Sequence, residues 1–268
     1  MLKKLSLEET VVVITGAGTG LGKEMALAIA QAGAHLVIAA RRSGPINKVV
    51  EEIRIMGGSA IAVTTDVAIP EQVNLLFATA LKKFGKVDVL FNNAGIVREH
   101  GGVPIWDITD EDWRIGVDTN LSSAFYCSRA VSKHMVSREK GKIINVSSGF
   151  GLRGGRDNYM YACSKGGIIQ LTRTLATSLG RYGITSNCLV PGYFLTEGTR
   201  ESKDNLPKGE FIPVGRIGRA EEVGPCAVFL ASGVSDYMNG QSLIIDGGGL
   251  SGGCAPTHYS QEIPVRFS

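Results

Sequence analysis

The stretch Val11-Val12-Val13-Ile14-Thr15-Gly16-Ala17-Gly18-Thr19-Gly20-Leu21-Gly22 decides the fold of this 268-residue chain. It starts with a β-branched apolar run typical of a strand buried on both faces of a parallel sheet. Four glycines in seven positions follow, and the periodicity of Leu21–Ala32 predicts a helix. A strand, a glycine turn and a helix form the context in which a helix N-terminus binds a pyrophosphate, whereas a tight structural turn is the alternative. The glycine spacing is GxxxGxG rather than GxGxxG.

The alternation of strand and helix patterns continues along the chain. Short apolar runs bounded by Gly, Asp or Asn predict strands at Leu36–Ala40, Ile61–Val63, Val87–Phe91, Ile143–Val146, Ser186–Val190 and Ser242–Ile245. Apolar residues three and four apart predict helices at Gly44–Met56, Pro70–Phe84, Asp110–Arg138, Tyr159–Tyr182 and Ala220–Ala231. We therefore expect an α/β fold, a single doubly wound Rossmann-type domain over 1–268 with a parallel seven-stranded sheet flanked by helices.

The composition is that of an ordinary globular protein, with 44% apolar residues, 20% charged residues and a net charge of +3. The chain has no run of basic residues, which argues against nucleic acid as a partner. No stretch reaches the roughly 18 apolar residues of a membrane span, and the first ten residues lack the apolar core of a signal peptide. We therefore expect a cytoplasmic protein that has neither membrane nor nucleic-acid partners.

The five cysteines and four histidines show neither CxxC nor HxxxH spacing. We therefore expect reduced thiols and no metal site. Cys163 lies between Tyr161 and Lys165, where it could be mistaken for a nucleophile. Because no histidine is near it in the sequence, packing is the interpretation that we favour for this thiol.

The stretch Tyr161-Ala162-Cys163-Ser164-Lys165 carries a second signal, inside a predicted helix. Residues four apart lie on one helical face, so a phenol and an ammonium are neighbours. A nearby cation favours the phenolate and lowers the tyrosine pKa from about 10 toward the working range, which suits a proton donor to a ketone. A solvated surface pair is the alternative for this motif alone.

Together with the GxxxGxG turn, the Tyr161–Lys165 pair resembles the short-chain dehydrogenase/reductase family, and the resemblance runs from about Val11 to Gly249. Further family motifs follow in order: Asp66-Val67, Asn92-Asn93-Ala94-Gly95, Ser148 thirteen positions before Tyr161, Pro191-Gly192-Tyr193-Phe194-Leu195-Thr196, and Asp246-Gly247-Gly248-Gly249. The chain is similar to gluconate 5-dehydrogenases and 3-oxoacyl-carrier-protein reductases within the family. Thr177 stands where the carrier-protein reductases have an arginine, which argues against an acyl-carrier partner without excluding one.

The resemblance implies an oxidoreductase that transfers hydride between a nicotinamide cofactor and a small-molecule secondary alcohol or ketone. Ser148 would bind the substrate oxygen, Tyr161 would donate the proton, and Lys165 would bind the nicotinamide ribose and lower the tyrosine pKa. Asn120 would hold a water in a proton relay that ends on the lysine. The implied catalytic residues are Asn120, Ser148, Tyr161 and Lys165. The implied cofactor-binding residues are Gly16, Thr19, Gly20, Leu21, Gly22, Arg41, Arg42, Asp66, Val67, Asn93, Ala94, Gly95, Tyr161, Lys165, Pro191, Gly192, Phe194 and Thr196.

The second predicted strand ends in Ala39-Ala40-Arg41-Arg42, and this end selects the cofactor. An acidic residue there would hold the ribose 2′-OH of NAD, whereas an arginine would accept the 2′-phosphate of NADP. Ala40 stands where NAD-preferring family members have Asp, and a guanidinium can pair two phosphate oxygens at once. We therefore predict NADP(H). The alternative is NAD(H), with both arginines merely solvated.

The substrate pocket is expected from residues 97–102 and 150–159 and from a lid at about 193–215. Arg153 and Arg156 could meet a carboxylate or phosphate there, but solvated arginines are the interpretation that we favour. The tail at 250–268 shows no clear periodicity of apolar residues.

Two long helices, predicted at Asp110–Arg138 and Tyr159–Tyr182, are apolar around much of their circumference, and the family pairs subunits through them. This predicts a homotetramer, with a dimer as the alternative.

A non-catalytic NADP-binding regulator is the alternative function, although such a protein would be expected to lose Tyr161 or Lys165 first. An epimerase or dehydratase of the extended branch would need a larger C-terminal domain.

Overall fold

Seven parallel strands form the central sheet of the protein. The computed structural model describes residues 2–96, 104–156, 158–196 and 212–252. The strands in this part of the chain are Val11–Thr15 (β1), His35–Ala40 (β2), Ser59–Thr64 (β3), Val89–Asn92 (β4), Gly141–Val146 (β5), Ile184–Pro191 (β6), Phe194–Leu195 (β7), Gly218–Arg219 (β8) and Ser242–Ile245 (β9). The large sheet has the order β3-β2-β1-β4-β5-β6-β9, and β7 pairs with β8 in a separate two-stranded ladder.

Helices cover both faces of this sheet. The α-helices among the described residues are Gly20–Gln31 (α1), Ser43–Ile55 (α2), Pro70–Phe84 (α3), Asp110–Val117 (α4), Ser123–Ser137 (α5), Tyr159–Leu179 (α6) and Gly224–Ala231 (α7). Successive side chains of a strand point to opposite faces, so Val12 and Ile14 pack with α1, α2 and α7, whereas Val13 packs with α3 and α5. The predicted Rossmann-type α/β fold with a seven-stranded parallel sheet is thus confirmed.

The strand order reverses between β1 and β4, because the chain moves outward through β2 and β3 and then returns to the other side of β1. In open α/β sheets the crevice at such a switch point, outside the carboxyl ends of the strands, is where ligands bind. Both the glycine turn and the Asn92-Asn93-Ala94-Gly95 segment leave the sheet at this crevice.

The predicted helix Asp110–Arg138 is present as one uninterrupted helical stretch from Asp110 to Ser137, and one of its turns has a different geometry. The stretch Asp110–Arg138 is divided into α4 and α5 by a π-helical turn at Asp118–Ser122. The turn surrounds the buried side chain of Asn120, and π-turns are commonly found at functional sites. Within the described residues, no helix combines the length and apolar character that crossing a bilayer requires.

Candidate active site

Two adjoining depressions open at the carboxyl ends of β1 and β4, with volumes of about 460 and 320 Å³. We call them the outer lobe and the inner lobe. They share the residues Gly16, Thr19, Gly95 and Ile96. Because the two lobes share these four residues, an elongated ligand can lie across both.

Asn93, directly after β4, holds the glycine turn in place against the neighbouring strand end. Its Nδ2 donates to the carbonyl oxygens of Thr15 and Gly16 at 3.0 and 3.1 Å, and Thr15 Oγ1 accepts from the backbone N–H groups of Asn93 and Ala94, each at 3.1 Å. A Cβ on Gly22 would collide with Asn93 Nδ2 and with the Gly16 carbonyl. The Asn93 amide therefore shapes the floor of the cleft from within the protein.

The outer lobe contains the predicted cofactor-selecting residues. It is lined by Gly16, Gly18, Thr19, Ala40, Arg41, Arg42, Pro45, Thr65, Asp66, Val67, Ala94, Gly95, Ile96 and Thr119. Arg41 and Arg42 are both exposed, and α2 begins directly after them at Ser43. No carboxylate of the described residues lies within ion-pair distance of either guanidinium. This lobe therefore presents two positive charges to a ligand.

Asp66 is held at the rim of the outer lobe by two local hydrogen bonds. Its Oδ1 accepts from the backbone N–H of Ala68 at 3.0 Å, and its own N–H donates to Gln72 Oε1 at 2.7 Å. Val67 beside it is buried. The strand end thus presents one oriented carboxylate next to an apolar wall.

The inner lobe brings together three of the four implied catalytic residues, Ser148, Tyr161 and Lys165. Its lining consists of Gly16, Thr19, Gly20, Leu21, Gly22, Asn93, Gly95, Ile96, Val146, Ser147, Ser148, Tyr161, Lys165, Pro191, Gly192 and Thr196. Ser148 follows β5, and its Oγ also accepts from the backbone N–H of Phe150 at 3.3 Å, which caps a short 3-10 turn. A hydroxyl, a phenol and an amine thus share one small cavity.

Lys165 is the most deeply enclosed charged group of the inner lobe, with 4% of its surface exposed. Its Nζ donates to the Val146 carbonyl at 2.9 Å. Burial lowers the pKa of Lys165 from 10.5 to about 8, and its electrostatic interaction with the Cys188 thiol opposes this in part. Removal from water therefore weakens the hold of this amine on its proton.

Tyr161 departs from the sequence-based expectation. Burial raises the pKa of the phenol above its ordinary value of 10.0, and a hydrogen bond with the Ser148 side chain lowers it in part. Lys165 Nζ lies 5.7 Å from the centre of the tyrosine ring, and burial is the largest cause of the shift in the phenol pKa. Tyr161 is therefore a protonated donor at neutral pH, and the lowering of its pKa by Lys165 stays a prediction.

Asn120 lies behind the wall between the lobes. Its Oδ1 accepts from the Ile96 N–H at 2.7 Å, and its Nδ2 donates to the Ile96 carbonyl at 3.0 Å. A Cβ on Gly95 would lie 3.0 Å from Asn120 Oδ1 and 3.3 Å from Lys165 Nζ, so the asparagine is close to the lysine. Its side chain is 1% exposed and bound to the backbone at both ends, so it holds the shared wall of the lobes in place.

The comparisons with known proteins agree with this geometry. A family model described as short chain dehydrogenase matches residues 10–207, which is more than half of the chain. The chain belongs to the short-chain dehydrogenase family. The family resemblance stated from the sequence motifs is thus confirmed.

Relatives of this short-chain dehydrogenase include several sugar-acid dehydrogenases and carrier-protein reductases. A 3-oxoacyl-[acyl-carrier-protein] reductase of Synechocystis is 40% identical over 91% of this chain and 98% of its own length. A 2-dehydro-3-deoxy-D-gluconate 5-dehydrogenase of Escherichia coli is 34% identical over 94% of this chain and 99% of its own. A gluconate 5-dehydrogenase of Burkholderia cenocepacia, solved with NADP and tartrate, is 35% identical with a TM-score of 0.87, over 93% of this chain and 98% of its own.

One implied cofactor residue of the short-chain dehydrogenase lies outside both lobes. The Phe194 ring packs over Gly218 and lines a separate depression with Arg216 and Glu222. Phe194 stands in β7, directly opposite Gly218 of β8. Of the expected substrate pocket and lid, residues 97–102, 157 and 197–211 lie outside the described part of the chain, as does the tail from 253 onward.

Sequence reasoning missed several residues that shape the lobes. Thr15 and Ile96 bind the two asparagines, and Val146 and Ser147 contact Lys165 through hydrogen bonds. Ser147 and Val146 stand directly before Ser148, so adjacency to an implied catalytic residue was the available signal. Backbone acceptors such as those of Val146 and Ile96 leave no mark in a sequence.

Proposed function

We propose that this short-chain dehydrogenase is an NADP(H)-dependent alcohol dehydrogenase or ketoreductase with Tyr161 as the general acid/base. The observation that carries the proposal is the meeting of Ser148, Tyr161 and Lys165 in the inner lobe, which is continuous with an outer lobe that contains Arg41 and Arg42. One lobe suits the reacting groups, and the other suits a phosphorylated ribose.

The residues of the cleft fit a phosphorylated dinucleotide. Gly16 has a φ of +67°, and a Cβ there would lie 2.7 Å from Ala94 Cα, so only glycine leaves the floor open. The two free guanidiniums match a 2′-phosphate, and Ala40 places no carboxylate where that phosphate would lie. A gluconate 5-dehydrogenase relative binds NADP, which supports the same choice.

When bound, NADP(H) supplies or accepts the hydride. Ser148 holds the substrate oxygen by its hydroxyl and shares a hydrogen bond with Tyr161, so the phenol is aimed at the same oxygen. Because Tyr161 is protonated at neutral pH, it donates a proton as the carbonyl is reduced. The Lys165 amine would hold the ribose hydroxyls of the cofactor, and Asn120 keeps the Ile96 wall in place beside it.

A homotetramer, with a dimer as the alternative, remains part of this proposal. Exposed apolar side chains on α4 and α5 support it: Trp113, Ile115 and Phe125 are 41%, 39% and 45% exposed. Exposed apolar side chains of this size favour burial by another subunit. A mass in solution equal to that of one chain would contradict it.

The test of the reaction compares NADPH and NADH oxidation with sugar-derived ketones, 3-oxoacyl thioesters and cyclic ketones. Wild type is measured beside Tyr161→Phe and beside Tyr237→Phe, which removes a fully exposed phenol far from the cleft. We expect turnover with NADPH that falls about 10²–10⁴-fold in Tyr161→Phe and is unchanged in Tyr237→Phe. Tight cofactor binding without turnover of any carbonyl would favour the non-catalytic regulator.

Cofactor choice has a test of its own. Replacing Arg41 and Arg42 together by alanine should raise the KM for NADPH by about 10- to 100-fold and leave the KM for NADH nearly unchanged, because charge-assisted bonds to the 2′-phosphate are lost. Arg181→Ala is the control, since this arginine follows α6 and stacks on Tyr182 away from the cleft. A wild type that prefers NADH would contradict the assignment.

A further inference from the structure

Two consecutive residues at the end of β5 hold Lys165 at both of its ends. Lys165 Nζ donates to the Val146 carbonyl at 2.9 Å, and Ser147 Oγ donates to the Lys165 carbonyl at 2.7 Å. Ser147 and Lys165 are each 4% exposed. The position of the lysine is thus determined both through its side chain and through its backbone.

The hydrogen bond from Ser147 is additional to the backbone hydrogen bonds within helix α6. A carbonyl inside an α-helix already accepts the N–H four residues ahead, so the Lys165 carbonyl in α6 uses its second lone pair for the serine. Helix α6 therefore does not need Ser147 to satisfy its backbone. What this bond adds is a link between the end of β5 and the helical turn that contains the lysine.

The turn that contains Ser148 packs onto the same bond. A Cβ on Gly151 would lie 2.6 Å from both the Lys165 carbonyl oxygen and Ser147 Oγ. The turn at Gly149–Gly151, the end of β5 and the middle of α6 therefore meet at this hydroxyl. The distances among Ser148, Tyr161 and Lys165 depend on how these three segments are placed against one another.

We propose that Ser147 is a positioning residue that fixes Lys165, and with it the Ser148–Tyr161 pair, for proton transfer. This inference rests on the function proposed above. Ser147 lines the inner lobe, but its hydroxyl is bonded to the Lys165 carbonyl, so its loss should change alignment more than ligand affinity. Misplacement of reacting groups by about 1 Å can cost on the order of 100-fold in rate.

Ser235 offers a matched control at the opposite end of the sheet. It is 2% exposed, and its Oγ donates to the Leu230 carbonyl at 2.9 Å, so it is also a buried serine bound to a backbone carbonyl. It also accepts from Lys142 Nζ at 3.1 Å, near the amino end of β5. Replacing either serine by alanine should reduce stability to a similar degree, whereas only Ser147 should affect the reaction.

The experiment compares Ser147→Ala, Ser147→Thr and Ser235→Ala with wild type. For Ser147→Ala we expect kcat to fall about 10-fold or more, with the KM for the carbonyl and the Kd for NADPH within about threefold of wild type. Ser147→Thr keeps the hydroxyl and should restore most of kcat. Equal losses of kcat in Ser147→Ala and Ser235→Ala, or a Ser147→Ala enzyme with the wild-type kcat, would overturn the proposal.

A second readout needs no turnover and separates this inference from the proposed reaction. Lysines labelled with ¹³C at Cε are titrated by NMR in wild type and variants, and the Lys165 signal is assigned from its absence in Lys165→Met. In wild type the pKa should be near 8, and Ser147→Ala should move it toward 10.5 by about half a unit or more as the amine gains water, while Ser235→Ala should not. If no carbonyl is reduced, the proposed reaction fails while this titration still decides the role of Ser147, since an unmoved signal contradicts it.

Discussion

The Lys165 ammonium is bonded to the Val146 carbonyl over 2.9 Å and is almost fully enclosed. Its pKa of about 8 lies well below the 10.5 of a free lysine, so below pH 8 the folded chain contains a buried cation that destabilises it. Lys165→Met keeps most of the packing and removes this charge. We therefore expect the cofactor-free variant to be more stable than wild type at pH 7, by on the order of 3 kcal/mol, although it should lose activity.

The pH dependence of this difference in stability between Lys165→Met and wild type tests the electrostatic explanation. Between pH 8 and 10.5 the unfolded chain holds a proton on this lysine that the folded chain has released. The free energy of unfolding of wild type therefore rises relative to that of the variant as the pH rises. Denaturant unfolding of both proteins at pH 7, 9 and 10 should show the difference shrinking. A variant less stable than wild type at pH 7 would contradict the electrostatic account.

The bond between Ser148 and Tyr161 predicts a shift in the pH–rate profile. Because this bond lowers the pKa of the phenol, Ser148→Ala should raise it further. Alcohol oxidation requires the phenolate, so its rise in rate should move to higher pH in the variant, together with a lower kcat. Profiles of kcat for alcohol oxidation measure this shift, and Ser132→Ala on α5, whose hydroxyl bonds only the Ser128 carbonyl in its own helix, is the control. A displaced profile in both variants would show that the shift does not come from the Ser148–Tyr161 bond.

Gly22 allows a test of the cleft floor. A Cβ there would collide with the Gly16 carbonyl and Asn93 Nδ2, which are held by the hydrogen bonds between the glycine turn and the next strand. Gly22→Ala should therefore destabilise the fold by about 1–3 kcal/mol and weaken cofactor binding at least tenfold. Gly44 is the matched glycine, because nothing lies within 4 Å of a Cβ at this position in the first turn of α2. Thermal unfolding and cofactor titration of the two variants should differ clearly, and equal behaviour would contradict the steric argument.

His134 predicts a loss of stability in mild acid. Its Nε2 accepts from the Val87 N–H at 3.2 Å, so the ring must be neutral. Burial and the Arg138 guanidinium lower its pKa below 6.5, while Asp88 opposes them. The unfolded chain therefore takes up a proton first as the pH falls below 6.5, and the folded state loses stability from there down to the lowered pKa.

His134→Gln removes this titration and keeps an acceptor for the Val87 N–H. Melting temperatures between pH 7.5 and 5 should fall less steeply in the variant than in wild type. Asp88 is itself bound to Arg138 and Lys86 and has a lowered pKa, so its own effect should appear only near or below 3.8. Parallel curves for the two proteins down to pH 5 would show that His134 does not contribute.

The local patterns of the sequence predicted most of the fold. Helix α3 and strand β9 have the predicted limits, because a proline start and a β-branched run act through neighbouring residues. The predicted long helix contains a π-helical turn at Asp118–Ser122 that its periodicity did not indicate, and the Asn120 side chain in this turn bonds to Ile96, 24 residues away. Periodicity cannot register a partner so distant in the chain.

By itself, the sequence determined the order of strands and helices, the glycine turn and the spacing of Ser148, Tyr161 and Lys165, since these follow from neighbours within one or two turns. Tertiary structure alone decided that Asn93 bonds into the glycine turn, that Phe194 lines a separate depression and that Ser147 binds the Lys165 carbonyl. It also decided the protonation of the site, because burial by remote segments raises the pKa of Tyr161 and lowers that of Lys165. Desolvation depends on what surrounds a group in space, and that is settled only when distant parts of the chain pack together.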